Sequence, residues 1–365
     1  MQAINPKLRD LDWETFRTSP LADKAALMLQ PDGAPCHTLY AQQFDRSLLE
    51  RLCTLATHIR RIAKNPKGSA FLRDLSPQKR AMLYFSQPSS RTYLSFLSAC
   101  QILGLQTGEV RDTAISSEFK GESKEDSVRT FSSYFDLIIM RTPEKGLAER
   151  MAWLFARSER PIPIINAGSG ADQHPTQALL DIYTLERSFE KRGGLPGKTI
   201  AFCGDLKRGR TVRSLSHLLT RFPGIRQVFV APEPFQIGED ILANLRSCGT
   251  EYRVTDNLHS VLPCCDALYM TRIQDEWDVQ KGESAKVDTS AFKIGARELG
   301  LLSPDAVILH PLPRRDEIDV CVDSDPRAMY WRQMRNGMWI RTALIAMTFG
   351  FERRIRMYAA EGQGL

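Results

Sequence analysis

The sequence predicts an α/β protein of two doubly wound domains, each a parallel sheet flanked by helices, joined by interdomain helices. Short apolar runs of strand length alternate with longer amphipathic segments along the chain, which is typical of parallel sheets with crossover helices. A cluster of Gly and Pro, KRGGLPGK at 191–198, divides this pattern into two halves. With 365 residues, the chain is also too long for one ordinary core.

The apolar runs predict four strands before the Gly and Pro cluster and five after it. A covering helix precedes the first strand, since DRSLLERLCTLATHIRRIAK places its leucines and isoleucines on one stripe. We therefore expect an N-terminal extension at 1–37, a first domain at 38–186 completed by a C-terminal helix at 334–352, a second domain at 187–333, and a tail at 353–365.

Composition and charge exclude several classes of function. The apolar fraction of 42% and the charged fraction of 25% are those of a soluble globular protein, and no apolar run approaches membrane-spanning length. The N-terminus lacks a signal-peptide core, so we expect a cytoplasmic protein without membrane partners. The net charge of +6 is spread among acidic residues and forms no basic tract, which argues against nucleic acid and fits small anionic substrates.

The eight cysteines are scattered and form no CxxC pair. This spacing predicts neither a disulfide framework nor a metal site. We expect reduced thiols that are mostly buried as small apolar side chains.

The stretch Ser89-Ser90-Arg91-Thr92 stands between a predicted strand and a predicted helix. Free amides and the positive end of the helix dipole converge at such a turn and favour an anion. Three hydroxyls and a forked guanidinium suit phosphate better than a single carboxylate. The alternative interpretation is that these residues do no more than cap the helix.

Other polar residues also follow predicted strands. Arg141 ends the apolar run FDLIIMR, and His174 and Gln177 stand around Pro175 at the mouth of the next helix. The carboxyl edge of an open α/β sheet is where such folds bind ligands, so these positions indicate a functional site. A buried structural role for His174 remains the alternative.

The second half begins with the strand TIAFCGD and a turn that resembles a dinucleotide-binding unit. The turn reads GDLKRGR, lacks G-x-G-x-x-G and carries bulky cations, so we reject binding of a nicotinamide dinucleotide. Further polar residues follow the later strands: Arg210, then Arg272 and Gln274, then His310 to Pro313. Taken singly, Arg210 and Arg272 could also form surface ion pairs of little energy.

Five motifs in this order together resemble the aspartate carbamoyltransferase family: SSRT, HPTQALLD, GDLKRGRTV, MTRIQ and HPLPRRDEI. The resemblance covers residues 38 to 350. HPLP, instead of the HCLP typical of ornithine carbamoyltransferases, favours the aspartate branch, and no DxxSMG-type segment follows in the second half.

The resemblance implies that the α-amine of aspartate attacks carbamoyl phosphate and yields N-carbamoyl-aspartate and phosphate, a step of pyrimidine biosynthesis. Fixed cations and hydrogen-bond donors meet the needs of such anionic substrates, and neither a cofactor nor a metal is implied. The resemblance also implies which residues bind carbamoyl phosphate. The phosphate would be held by Ser89, Ser90, Arg91, Thr92 and Arg141, and the carbonyl oxygen would be contacted by Thr92, Arg141 and His174. The carbamoyl NH2 would be held by Gln177 and by the main-chain carbonyls of Pro311 and Leu312.

The aspartate carboxylates would be held by Arg210, Arg272 and Gln274. Ser116 and Lys120 match loop residues that reach the site of a neighbouring subunit in the family, with Lys120 also contacting aspartate in catalysis. A homotrimer with shared active sites is therefore implied. Whether a regulatory chain or a dihydroorotase partner binds stays open.

Two departures from the family pattern concern domain closure. Gln87 stands where the family usually has Glu, and Trp277 stands where it has Arg, so both ends of one interdomain ion pair are replaced. We expect closure to depend instead on hydrogen bonding and packing. Two alternative functions remain: transfer to another amine, or a non-catalytic assembly partner, against which the retained cationic residues argue.

Overall fold

The computed structural model describes residues 4–111, 121–169, 173–278, 280 and 282–362. The chain forms two compact units, Met1–Leu179 with Gly337–Leu365, and Leu180–Asn336. Two helices, Pro175–Phe189 and Tyr330–Thr348, carry the chain across this division.

The first unit contains a parallel sheet of four strands in the order β2-β1-β3-β4. Its strands are β1 (Arg80–Phe85), β2 (Gln106–Val110), β3 (Leu137–Arg141) and β4 (Ile164–Asn166). Its helices are α1 (Pro6–Asp10), α2 (Trp13–Thr18), α3 (Leu21–Leu27), α4 (Arg46–Ile62), α5 (Pro66–Arg73), α6 (Ser90–Ile102), α7 (Lys124–Tyr134), α8 (Leu147–Ala156) and the start of α9 (Pro175–Phe189).

The second unit contains a parallel sheet of five strands in the order β7-β6-β5-β8-β9. Its strands are β5 (Thr199–Cys203), β6 (Arg226–Val230), β7 (Glu251–Thr255), β8 (Ala267–Met270) and β9 (Val307–Leu309). Its helices are α10 (Arg210–Leu219), α11 (Glu239–Ser247) and α12 (Ala296–Leu301), after which come α13 (Tyr330–Thr348) and α14 (Glu352–Glu361). The predicted pair of parallel sheets flanked by helices is confirmed.

Local sequence explains the regular elements. The central strands β3 and β5 are buried along their whole length, as expected for a sheet covered on both faces. Helix α4 begins where Asp45 accepts a hydrogen bond from the amide of Leu48 at 2.7 Å, and its apolar stripe is buried. Core packing thus follows the hydrophobic pattern read from the sequence.

The N-terminal extension folds onto α8 in the first unit. Phe16 is fully buried, the rings of Trp13 and Trp153 lie 5.5 Å apart, and Lys24 pairs with Glu149 at 3.1 Å. The three short helices of the extension therefore form part of the core of the first unit, a role that the sequence did not indicate. At the other end of the chain, the ring of Tyr358 stacks on Phe71 at 4.0 Å, so α14 packs on the first unit as well.

All eight cysteines are free thiols, of which four are buried and three are exposed. Only half of the cysteines are therefore buried, fewer than the sequence led us to expect. None of the helices in the described part of the chain has the length and hydrophobicity needed to cross a bilayer.

Candidate active site

In each sheet, the strand order reverses between the two strands that lead into predicted site residues. In the first sheet these are β1, which precedes 89–92, and β3, whose Arg141 pairs in register with Phe85. In the second sheet they are β5, which precedes Arg210, and β8, which precedes Arg272. Ligands of open α/β sheets bind at the carboxyl ends of strands at such reversals. Each sheet therefore brings its predicted residues to its own binding edge.

Ser89 lies at the N-cap of α6 in extended backbone, with φ −166° and ψ 93°, and its side chain makes no capping hydrogen bond. A residue that only capped the helix would accept a bond from the first turn. Ser90 and Arg91 are exposed at this helix start, whereas Thr92 is buried. The start of α6 therefore has the character of an anion site.

Arg141 ties the end of β3 to this turn. Its main-chain oxygen accepts hydrogen bonds from the amide of Gln87 at 3.3 Å and from the hydroxyl of Ser86 at 3.4 Å. Its side chain is only 8% exposed, and Nη1 donates to the main-chain oxygen of Ala167 at 3.2 Å. The guanidinium is therefore held beside the turn that follows β4.

Gly168, in that turn, brings Arg141 close to His174. The glycine has φ +106°, and a Cβ built on it would lie 2.6 Å from Nη1 of Arg141 and 3.1 Å from Cδ2 of His174. Both side chains therefore need a residue without a side chain at 168, in a backbone conformation that glycine favours. Asn166 fixes the turn, because its Oδ1 accepts the amide of Gly168 at 2.8 Å.

His174 and Gln177 lie at the start of α9, as predicted. His174 is 4% exposed and Gln177 is 6% exposed, and the amide of Gln177 donates to the main-chain oxygen of His174 at 3.0 Å. The hydroxyl of Thr176 lies 3.5 Å from Nδ1 of the histidine. The structure thus brings Arg141, His174 and Gln177 to one edge of the first sheet. The predicted loop residues Ser116 and Lys120 lie outside the described residues.

In the second unit, Asp205 organises the two segments that carry the predicted carboxylate ligands. Its Oδ1 accepts the amide of Arg208 at 3.1 Å, and its Oδ2 accepts the amide of Gln274 at 3.0 Å. Burial raises the pKa of Asp205, while these two hydrogen bonds and the charge of Arg208 oppose the shift. The turn before Arg210 and the loop after Arg272 are therefore held by one carboxylate.

The loop after β8 is further held by Arg208. Its Nη1 donates to Asp278 at 2.8 Å and to the hydroxyl of Ser284 at 2.7 Å, with side-chain exposures of 17% for Arg208 and 4% for Asp278. A second tie is more exposed: Arg315 makes a bidentate pair with Asp275 at 2.9 and 2.8 Å. The bond to Arg315 is the largest of the influences on the pKa of Asp275, which falls to about 2.

The two predicted carboxylate-binding arginines differ in their surroundings. Arg272 donates to Glu276 at 2.7 Å and to the main-chain oxygen of Ile273 at 2.9 Å, so it forms an ion pair within its own loop. Its side chain is nevertheless only 18% exposed, less than is usual for a surface ion pair. Arg210 is half-buried as the first residue of α10.

The HPLP segment follows β9 in a tightly bonded turn. The imidazole of His310 is fully buried; Nδ1 accepts the amide of Leu312 at 2.7 Å, so Nε2 carries the proton and donates to Glu317 at 2.7 Å. Burial alone would raise the pKa of Glu317, but the hydrogen bond from His310, together with main-chain amides, lowers it below its usual value. Leu312 has φ +55°, the one positive φ outside glycine among the described residues.

Sequence reasoning missed most residues that hold these ligands in place. Key bonds to segments distant in the chain are formed by Asp205, Asp278 and Gln333, whereas Glu317 bonds His310 only seven residues before it. The sequence did contain a signal for a buried role of Asp181, because this acidic residue is flanked by apolar neighbours in QALLDIY. Across the described ranges, His, Cys, Asp and Glu side chains form no group of three or more arranged to hold a metal ion.

Comparison with known proteins connects this geometry with a family. Residues 36–187 match the family model described as aspartate/ornithine carbamoyltransferase, carbamoyl-P binding domain. Residues 196–348 match the model for the Asp/Orn binding domain of the same family. The two matches include both binding edges described above.

Individual relatives agree with this assignment. The chain is 41% identical to the chloroplastic aspartate carbamoyltransferase of Oryza sativa subsp. japonica, over 84% of this chain and 83% of the relative. It is 40% identical to the aspartate carbamoyltransferase catalytic subunit of Chromobacterium violaceum, over 85% of this chain and 97% of the relative. Among solved structures, the aspartate transcarbamoylase of Trypanosoma cruzi in complex with N-(phosphonacetyl)-L-aspartic acid matches with a TM-score of 0.75 and 36% identity, over 85% of this chain and 94% of that chain. The chain therefore belongs to the aspartate/ornithine carbamoyltransferase family, on its aspartate carbamoyltransferase branch.

Proposed function

We propose that this protein transfers the carbamoyl group of carbamoyl phosphate to the α-amine of L-aspartate, a reaction of pyrimidine biosynthesis. The observation that carries the proposal is the burial of Arg141 and His174 side by side over Gly168, beside the uncapped start of α6. A buried guanidinium, an imidazole donor and helix amides suit an acyl phosphate, whose carbonyl is polarised in the reaction. Relatives at about 40% identity carry the name of this activity.

The reaction follows from these groups. The amine nitrogen attacks the carbamoyl carbon and forms a C–N bond, the C–O bond to phosphate breaks, and the amine loses one proton as phosphate leaves. Thr92, Arg141 and His174 stabilise the negative charge that develops on the carbonyl oxygen. Ser89, Ser90 and Arg91 hold the phosphate, while Gln177 and the carbonyls of Pro311 and Leu312 hold the carbamoyl NH2.

We assign the carboxylates of aspartate to Arg210, Arg272 and Gln274. Arg272 and Gln274 lie on one loop that Asp205 and Arg208 hold in place, which supports their acting together. Fixed cations of this kind bind dicarboxylates with little rearrangement, and so favour proximity of the amine to its target.

One assay tests the reaction. Purified protein is incubated with carbamoyl phosphate and, separately, aspartate, ornithine and a panel of other amines, and phosphate release and carbamoylated product are both measured. Release with aspartate alone supports the proposal. Release only with another amine would reassign the acceptor, and no release with any amine would favour a non-catalytic assembly partner.

We further propose a homotrimer in which Ser116 and Lys120 serve the site of a neighbouring subunit. The support is the motif match of this loop. Mixing an inactive Lys120→Ala protein with an inactive His174→Ala protein tests it, because subunit exchange regenerates intact sites only if the two residues act in trans. Mixtures that stay inactive after verified exchange would refute sharing.

Location and assembly partners remain predictions. We expect the cytoplasm, although the rice and pea relatives are named chloroplastic. Cell fractionation with a detectable tag tests location. Purification of the native complex shows whether a regulatory chain or a dihydroorotase accompanies the protein.

A further inference from the structure

A chain of buried hydrogen bonds in the second unit ends at the HPLP segment. The hydroxyl of Tyr269 donates to Oδ2 of Asp181 at 2.8 Å, and Nε2 of Gln333 donates to Oδ1 of Asp181 at 2.7 Å. The main-chain amide of His310 then donates to Oε1 of Gln333 at 2.9 Å. All four residues have no exposed surface. They belong to β8, α9, α13 and the turn after β9, so this series of hydrogen bonds connects four separate segments of the polypeptide.

The chemistry of the groups determines which one donates and which one accepts in every hydrogen bond of this series. The amide of His310 is only a donor, so Gln333 must present its oxygen to it and its NH2 group to Asp181. A carboxylate accepts this bond and the bond from Tyr269 at the same time. The carboxylate of Asp181 therefore determines which way the amide of Gln333 points, and with it where the main chain at His310 lies.

The main chain at His310 leads directly into the carbonyls assigned to the carbamoyl group. The imidazole of the same residue accepts the amide of Leu312 and donates to Glu317, so both its main chain and its side chain are held. Leu312, with φ +55°, is in a conformation that an L-residue adopts only when its surroundings impose it. The oxygens of Pro311 and Leu312 are thereby oriented from within the second unit.

We propose that Asp181 and Gln333 are positioning residues that orient the carbonyl oxygens of Pro311 and Leu312 toward the NH2 group of the carbamoyl substrate. The inference rests on the proposed function, and it adds a pair of residues that act through His310 without touching substrate. A buried carboxylate is a costly means of merely joining two helices, since well-packed apolar side chains often serve as well. An apolar pair has neither a donor nor an acceptor, so it could not determine which way the amide of Gln333 points.

The test reverses the direction of one bond and then restores it. Gln333→Glu removes the NH2 donor and places two carboxylates against each other. Adding Asp181→Asn supplies an NH2 donor from position 181, while Asn Oδ1 still accepts from Tyr269 and the glutamate still accepts from His310. The double variant D181N/Q333E therefore has the same hydrogen bonds with one polarity exchanged. Because a buried pair of carboxylates can keep a shared proton that replaces the lost donor, Q333M, which has neither donor nor acceptor, is measured beside Q333E.

The readout is binding of two unreactive ligands by calorimetry, phosphonoacetamide and acetonylphosphonate, because the second keeps the phosphonate and the carbonyl but has a methyl group in place of the carbamoyl-like NH2. We expect the wild type to prefer phosphonoacetamide. Q333E should lose about tenfold of this preference, the order expected for losing one to two hydrogen bonds, and the double variant should regain it to within about threefold. Q333M, which removes both bonds without adding charge, should show the same loss and serves if Q333E does not fold.

Thr184→Val is the matched control, because the hydroxyl of Thr184 accepts a bond from Asn336 at 3.1 Å and so joins the same two helices without involving His310. We expect it to lower thermal stability and leave the ligand preference unchanged. A preference that Q333E and Q333M leave intact, a folded double variant that is not rescued, or an equal loss in Thr184→Val would overturn the inference while aspartate carbamoylation by the wild type still stood. A wild type with neither preference nor turnover would instead refute the proposed function, and the inference with it.

Discussion

Arg141 and His174, which are 33 positions apart in the chain, lie against the same glycine. Neither side chain has room for a methyl group at position 168, since the built Cβ falls 2.6 Å from Nη1 of Arg141 and 3.1 Å from the imidazole. The positions of both groups therefore depend on the absence of a side chain at a residue that takes no part in the chemistry. The identity of this residue is open to a direct test.

Gly168→Ala should lower kcat/KM for carbamoyl phosphate by at least about tenfold, which corresponds to about 1.4 kcal/mol. The methyl group must displace the guanidinium of Arg141, which is buried and bonded to the main-chain oxygen of Ala167, and it also presses on the imidazole of His174. Steady-state kinetics with carbamoyl phosphate varied at saturating aspartate measure the effect. The KM for aspartate should change much less.

Gly146→Ala is the control for backbone strain. Gly146 has φ +78°, also in the left-handed region, but its built Cβ has no neighbour within 4 Å. We expect a loss of stability on the order of 1 kcal/mol and unchanged kinetics. If both alanine variants lose activity equally, strain and not the contact with Arg141 and His174 is the cause.

A second prediction concerns the loop that carries Arg272 and Gln274. Asp278→Asn weakens the pair with Arg208, and we expect it to raise the KM for aspartate by about tenfold because the loop loses a nearly buried charged hydrogen bond. The KM for carbamoyl phosphate should stay within about twofold. Arg315→Gln breaks the exposed pair with Asp275 on the same loop, and should change the KM for aspartate by less than about threefold. Equal effects of the two substitutions would contradict the importance we give to burial.

The strands of both sheets were predictable because their apolar runs are short and buried on both faces. β3 and β5, for example, stand in the sequence as the apolar runs LIIMR and TIAFC. The candidate ligands were predictable for a related reason, since parallel strands end at one edge and Arg141, Arg210 and Arg272 each stand at or just beyond such an end.

The residues that hold those ligands were not predictable in the same way. The bonds of Asp181 to Tyr269 and Gln333 join positions 88 and 152 residues apart, and no periodicity reports such a pairing. The packing of the extension on α8 was not predicted from the sequence for a different reason. Its helices of 5, 6 and 7 residues are too short for an apolar stripe to be evident, and they are stabilised by tertiary contacts.

The extension therefore gives a third prediction. Phe16→Ala should reduce the free energy of unfolding by about 3 to 5 kcal/mol, the usual cost of deleting a fully buried aromatic side chain. Urea unfolding followed by tryptophan fluorescence measures it, with Trp13 and Trp153 as local probes. Glu14→Gln, which alters the exposed pair with Arg17, is the control and should change stability by less than about 1 kcal/mol. A Phe16→Ala protein as stable as the wild type would show that the extension is not part of the core.

The last prediction concerns His37, which lies where the extension meets β4. Its Nδ1 accepts the amide of Ile164 at 3.1 Å, and complete burial lowers its pKa to about 3. The folded protein therefore keeps this imidazole neutral between about pH 6.5 and pH 3, whereas the unfolded chain takes up a proton below about pH 6.5. Stability that is fully present above pH 6.5 is thus lost as the pH falls, by up to about 1.4 kcal/mol per pH unit.

His37→Asn retains an acceptor for Ile164 and removes the titrating group. We expect the free energy of unfolding of the wild type to fall more steeply than that of the variant between pH 6 and pH 4, with the two curves parallel above pH 7. Urea unfolding at half-unit pH intervals gives both slopes, and contributions from the other titrating groups cancel in the difference. Parallel curves through the whole range would mean that His37 becomes protonated in the folded protein, and hence that water reaches it at the edge of β4.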